Sequence, residues 1–269
     1  MPNISNSLYN IRVLEDLAAG KTYIHQLHPL VKLLTTVCYL TVVVSFGKYE
    51  LSSLLPLLLY PVLIFALAEL PLQPLLKRLL FMEPFIIGLG ILNPFFERQP
   101  FALYGLELTL GWAAFLSLFI KYQLTVIAAL LLIATTEMNK LAGALRLLKI
   151  PRLFILQFLL TFRYISLLME EVVLIQRAYA MRAPRQKGIH ISVWGSLTGQ
   201  LLLRTYERAQ QIYEAMCLRG FSGEYHMGGQ SRIKIRDWTW LAGWILFLAA
   251  VRLYDLPEKL GLLLMGVVR

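Results

Sequence analysis

The sequence predicts an all-α, polytopic membrane protein with about five to six transmembrane helices and a cytoplasmic helical region. Three observations carry that reading. Of 269 residues, 58% are hydrophobic and only 16% charged, with mean hydropathy +0.62, whereas soluble domains lie near 45–50% apolar and about 25% charged. The apolar residues fall into long uncharged runs. The net charge of +10 is concentrated in the middle: residues 137–236 carry 15 Lys/Arg against 6 Asp/Glu, residues 1–136 carry 8 against 7, and residues 237–269 carry 3 against 3. A disordered chain is excluded by the apolar content. Two cysteines, Cys38 and Cys217, are too few for a disulfide scaffold. The first thirty residues lack the charged, apolar and cleavage regions of a secretory signal in order.

The first run, Leu33–Gly47, has 15 uncharged residues between Lys32 and Lys48, and the second, between Glu50 and Glu69, has 18 with Pro56 and Pro61 inside. Leu79–Phe96 holds one acid, Glu83, and is preceded by Lys77 and Arg78, which read as a cytoplasmic connection. Leu108–Ile120 and Tyr122–Thr136 are split only by Lys121, so residues 105–136 form either one long tilted helix or a helix broken at that lysine. Trp238–Val251 is the last long run; the nine residues Leu260–Val268 leave a sixth span open. A span needs roughly 20 apolar residues, reached by several runs only if end lysines snorkel. The chain then divides into membrane helices 1–4 over residues 1–136 with a cytoplasmic N-terminus, a basic cytoplasmic or interfacial region over 137–236, and a C-terminal membrane helix or helices over 237–269. The basic block sets that orientation, because Lys/Arg-rich connections stay inside.

The central block carries helix punctuation. Met138, Leu141, Ala142, Leu145 and Leu148 share a face of a helix closed by Pro151. Residues 152–182 form one helix ending before Pro184, and a third pattern over Ser196–Arg219 stops at Gly220. Two of these helices close on similar words, Ala180-Met181-Arg182-Ala183 and Cys217-Leu218-Arg219-Gly220. An arginine in a last turn complements the helix dipole by about 0.3–1 kcal/mol. The duplication on a basic block also suits presentation of two arginines to an acidic partner, since the guanidinium fork takes carboxylates bidentately.

At these residues the chain resembles the transmembrane T component of energy-coupling factor (ECF) transporters, most of all the cobalt-type branch, CbiQ. The matching segments occur in the family's order. They are Leu14-Glu15-Asp16-Leu17-Ala18, Ile24 to Lys32, Asn93-Pro94-Phe95-Phe96, Thr135-Thr136, Ala144-Leu145-Arg146, Ile150-Pro151, Arg163-Tyr164-Ile165, Glu170-Glu171 and the two arginine words. The resemblance implies a coupling subunit that links two ATP-binding ATPase subunits to a substrate-binding membrane S component, for cobalt or nickel, or alternatively for a vitamin. It implies that Ala180, Met181, Arg182 and Ala183, with Cys217, Leu218, Arg219 and Gly220, dock on the ATPases. The chain departs from the family where Arg185 offers a competing arginine and where His28 stands for the usual Asp before proline.

No cofactor and no catalytic or metal-binding residue is expected. There is no G-x-x-x-x-G-K-[ST] phosphate loop, so any use of ATP is mechanical and lies in a partner. His25 and His28 lack a third ligand at matching spacing, His190 and His226 are isolated, and Glu170 and Glu171 point about 100° apart on a helix. A membrane-embedded lipid or prenyl enzyme would need convergent carboxylates or histidines, which Glu69 and Glu83 do not supply. A basic protein binding anionic lipid is the other alternative, with membrane lipids as contacts. Nucleic acid is not expected, because aromatics are not interleaved with the basic residues.

Overall fold

The computed structural model describes residues 15–48, 50–92, 94, 100–103, 106–183, 189–223 and 233–254. The possible sixth span, Arg185, His226 and the segment Asn93–Phe96 apart from Pro94 lie outside them. Among the described residues the fold is all-helical apart from one short hairpin. Its elements are α1 (Tyr23–Gln26), α2 (Pro29–Ser45), α3 (Leu51–Leu54), a 3-10 turn (Leu55–Leu58), α4 (Leu59–Ala68), α5 (Leu72–Gly90), β1 (Pro100–Leu103), β2 (Leu106–Thr109), α6 (Leu110–Thr135), α7 (Met138–Leu147), α8 (Arg152–Arg182), α9 (Ile191–Leu218) and α10 (Ile235–Tyr254). They divide into two compact units, one built on residues 17–137 with 233–254, the other on residues 138–223.

The first unit is organised around α2. Pro29 opens it at a position where its missing N–H costs nothing, and His28 caps it, its Nδ1 accepting from the Leu30 N–H at 3.2 Å. That bond supplies what an Asp supplies at a helix N-cap and accounts for histidine before the proline. Val31, Thr35, Tyr39 and Val43 recur every four residues on the buried face of α2. α10 and α6 pack on α2. On α6, Leu124, Ala128, Leu131 and Ala134 form the buried stripe; on α10 it is Leu241, Trp244, Leu248 and Val251. Tyr39 stacks on Tyr60 at 4.3 Å and Trp244 meets Tyr60 edge-on at 4.8 Å. Both phenols are satisfied, Tyr39 donating to the Leu57 carbonyl (3.0 Å) and Tyr60 sharing a bond with Thr36 (2.9 Å). Gly90 is required by close approach, because a Cβ there would lie 2.6 Å from the Phe115 ring.

Three expectations are corrected. Residues 106–109 are strand, not the start of a helix: Phe101 pairs with Leu108 and Leu103 with Leu106 in an antiparallel hairpin. The alternation Leu-Glu-Leu-Thr has the two-residue period of a strand. Lys77 and Arg78 lie inside α5 rather than in a connection, which falls instead at residues 69–71, where Glu69 takes a left-handed φ of 50°. α9 begins at Ile191, five residues before the predicted start, where the His190 ring accepts from the Ser192 N–H.

α6 runs unbroken through Lys121. The lysine is held by the end of a neighbouring helix: its Nζ donates to the Phe46 and Gly47 carbonyls at 2.7 and 2.9 Å. A cation at a helix C-terminus satisfies orphan carbonyls and complements the dipole. Among the described residues, α6 is the one helix long and apolar enough to cross a bilayer, and Pro29–Ser45 and Leu55–Ala68 are shorter apolar helices.

Candidate functional site

The second unit holds both arginine words. Its core is small: Ala142, Ile155 and Leu159 are buried, with Ile150 and Phe158 packed partly against them. The elbow between α7 and α8 is a Schellman turn, with the Ile150 N–H on the Leu145 carbonyl (3.4 Å) and the Lys149 N–H on Arg146 (3.1 Å). Lys149 occupies the left-handed position, φ 60°, where glycine is usual. α8 then runs for 31 residues and α9 for 28, about 46 and 42 Å at 1.5 Å per residue.

Both words sit at exposed helix ends, but the two ends are built differently. Arg182 is the last residue of α8; Ala183 follows at φ −129°, its N–H on the Tyr179 carbonyl at 2.9 Å. Arg219 is the residue just beyond α9. Gly220 reverses the chain at φ +82°, Phe221 N–H reaches the Met216 carbonyl (3.0 Å) and Gly220 N–H the Cys217 carbonyl (2.9 Å). This is a full Schellman closure, and it needs the glycine. Ala180, Met181 and Arg182 are exposed and Ala183 half-buried; Cys217, Leu218, Arg219 and Gly220 are exposed. Met181 and Leu218 expose 78% and 90% of their surface directly before each arginine. Each site thus offers a large apolar side chain beside an arginine, and arginine and methionine are both enriched in protein interfaces. One turn before Cys217, the Tyr213 phenol has its pKa held above the usual value by that thiol.

α9 has no buried residue. Its half-buried positions, Val193, Leu197, Leu201, Thr205, Ile212 and Met216, fall on one stripe. A second stripe is exposed throughout: Gly195, Gly199, Leu202, Tyr206, Ala209 and Tyr213. Their alternating spacing of four and three is that of a coiled-coil seam. Arg204 donates to Glu171 of α8 in an ion pair across 33 residues. Sequence reading missed this contact, since no local pattern marks a pair so far apart.

His25 and His28, not expected to bind metal, make bonds within the protein. His25 Nε2 donates to the Leu17 carbonyl (3.0 Å), Nδ1 pairs with Thr22 (2.7 Å), and His28 serves as the helix cap. No group of three or more His, Cys, Asp or Glu side chains able to hold a metal occurs among the described residues.

Comparison with known proteins finds relatives and a family. A stretch of 130 residues is 32% identical to an uncharacterised protein of Methanocaldococcus jannaschii, covering 47% of this chain and 44% of that one. The nickel permease LarQ of Lactiplantibacillus plantarum is 30% identical over 118 residues, 42% of this chain and 43% of LarQ. A Ycf92-like protein of Nostoc sp. is 33% identical over 121 residues, 42% of this chain and 39% of its own length. The chain therefore spans less than half the length of the curated relatives it matches. The CbiQ family, described as cobalt transport protein, matches residues 20–228, which takes in the capped start of α2, the long helix α6 and both arginine words. The chain belongs to the CbiQ family of cobalt transport proteins, a family of membrane transport components.

Proposed function

We propose that this chain is the non-catalytic coupling subunit of an ECF-type importer in the plasma membrane, carrying the motion of two ATPase subunits to a substrate-binding membrane S component, with cobalt or nickel as cargo. The observation that carries the reading is the pair of exposed arginine ends on α8 and α9. Each arginine stands beside an exposed apolar residue, Met181 at 78% and Leu218 at 90%. Family membership and the likeness to a nickel permease support a metal cargo.

In this reading residues 17–137 and 233–254 lie in the bilayer in several passes, and the basic unit on residues 138–223 faces the cytoplasm. α6 crosses; the shorter apolar helices α2 and α4, together with α5 and α10, complete the bundle with their end charges directed to protein or to the interface. Arg182 and Arg219 seat in acidic grooves, one on each ATPase, with Met181 and Leu218 filling the adjoining apolar pockets. ATP binding draws the ATPases together, α8 and α9 move with them, and the exposed seam from Gly195 to Tyr213 presses that motion on the S component. The chain hydrolyses nothing. It supplies a two-position element that nucleotide state biases elsewhere.

A cell lacking its own high-affinity cobalt uptake tests the role. Expression of this chain with its ATPase and S partners is expected to give ATP-dependent accumulation of radioactive cobalt, competed by nickel, and omission of this chain alone should abolish it. Accumulation that persists without the chain rejects the reading.

A further inference from the structure

The first unit sends the chain out after residue 137 and has it back by residue 233. Both joints are tied to one short segment. Lys32, in the first turn of α2, is only 5% exposed. Its ammonium donates to the carbonyl of Thr135, the last residue of α6, at 2.6 Å, and to the His25 carbonyl at 3.4 Å. Four residues before Lys32, the backbone N–H of His28 donates to Asp237 Oδ1 at 3.3 Å. Asp237, 3% exposed, accepts the Lys234 N–H on its other oxygen at 2.8 Å, so it caps the start of α10 at the return joint. The segment is itself pinned by the His25 ring to Leu17 and Thr22. A buried lysine carries a desolvation cost that carbonyl partners at a helix C-terminus offset.

We propose that the segment His25–Lys32 is the fulcrum of coupling. By holding the departing and returning strands of chain at one base, it lets force applied at Arg182 and Arg219 turn the second unit instead of being absorbed as slack. Lys32 and Asp237 are the positioning residues. The proposal rests on the coupling role above. Switching displacements in proteins run from about 1–2 Å to one helical turn, and a joint of a few residues without its anchor has freedom of that size. Lys121 provides the internal control: it also makes two carbonyl bonds, at 2.7 and 2.9 Å, at the other end of α2, where the chain does not change units.

The test reconstitutes the complete complex with its ATPases and S component in proteoliposomes, and measures ATP hydrolysis and cobalt transported per ATP. In Lys32→Met the ATPases stay bound and hydrolysis stays within about twofold of wild type, while cobalt per ATP falls about tenfold or more, within the range of measured coupling energies. Lys32→Arg restores the ratio. Lys121→Met lowers the melting temperature but leaves the ratio unchanged. A normal ratio in Lys32→Met, or the same drop in Lys121→Met, overturns the fulcrum. If Lys32→Met is not recovered folded, Asp237→Asn, which removes one of the two acceptors at the return joint, decides by the same ratio. Wild type without bound ATPases refutes the coupling role itself, so the two failures are told apart.

Discussion

Replacing Gly220 by alanine asks how firmly Arg219 must be held. Gly220 sits at φ +82°, and a Cβ there would meet nothing within 4 Å, so the whole cost is backbone strain, roughly 1–2 kcal/mol for an L-residue in the left-handed region. The alternative is to release the turn and give up the Phe221–Met216 and Gly220–Cys217 bonds, about 0.5–1.5 kcal/mol each. The two costs are close, so the variant holds the closed turn only part of the time. If docking requires the closed turn, the apparent affinity falls with its population, about twofold where the two costs balance and about sixfold where strain exceeds the bonds by about 1 kcal/mol. The assay pairs ATPase binding to the detergent-purified chain with hydrogen exchange at the Phe221 amide. Gly199→Ala is the control, since that glycine lies inside α9 with open space around it and should leave both readouts unchanged. Faster exchange at Phe221 with unaltered binding would show that the closed turn does not present Arg219. Unaltered exchange would refute the strain argument.

Further outcomes follow from the same geometry. Lys149→Gly should stabilise the elbow between α7 and α8 by about 0.5–1 kcal/mol, the left-handed penalty less glycine's entropy, read as a raised melting temperature; Lys149→Ala should not. Ile155→Ala removes one of the three buried side chains of the second unit's core cluster and should cost about 2–4 kcal/mol, seen as faster limited proteolysis within residues 138–182. Tyr39→Phe removes the phenol's bond to the Leu57 carbonyl, which keeps the Leu59 N–H, and should cost about 0.5–1.5 kcal/mol, with the Tyr60 stack intact.

The long helices were legible because their signals are local. Arg152–Arg182 follows from Pro151 before it, Pro184 after it and an apolar stripe between, and the uncharged run Trp238–Val251 marks the body of α10. The hairpin was not, because four residues of alternation are lost beside an apolar run of thirteen. The place of Lys77 and Arg78 was misread for a related reason. A charge pair looks like a connection, yet Pro71 at the N-cap starts α5 six residues earlier. Whether Lys121 breaks its helix depends on a partner 75 residues away, the carbonyl of Phe46, and no pattern in the chain shows it.

At the site, the arginines and their neighbours were visible as words, and Gly220 correctly marked a helix end. The difference between the two ends was not. The words align with Arg182 on Arg219, yet one is the last helical residue and the other lies just past it, because only the second has glycine to reverse the chain. The cluster around Lys32 was hidden too. Its members are 103 and 209 residues apart in sequence, and only the packing of α6 and α10 on α2 brings them together.

The central claim is that Arg182 and Arg219 hold the ATPases. A pull-down from detergent-solubilised membranes, wild type beside Arg182→Ala/Arg219→Ala, read by mass spectrometry, tests it most directly. Wild type should bring down two ATPase chains and a small membrane partner. The double variant should keep the membrane partner and lose the ATPases, as expected when buried charge pairs of about 2–5 kcal/mol each are removed. Identical recoveries from the two proteins, or a wild type that comes down alone, would contradict the account.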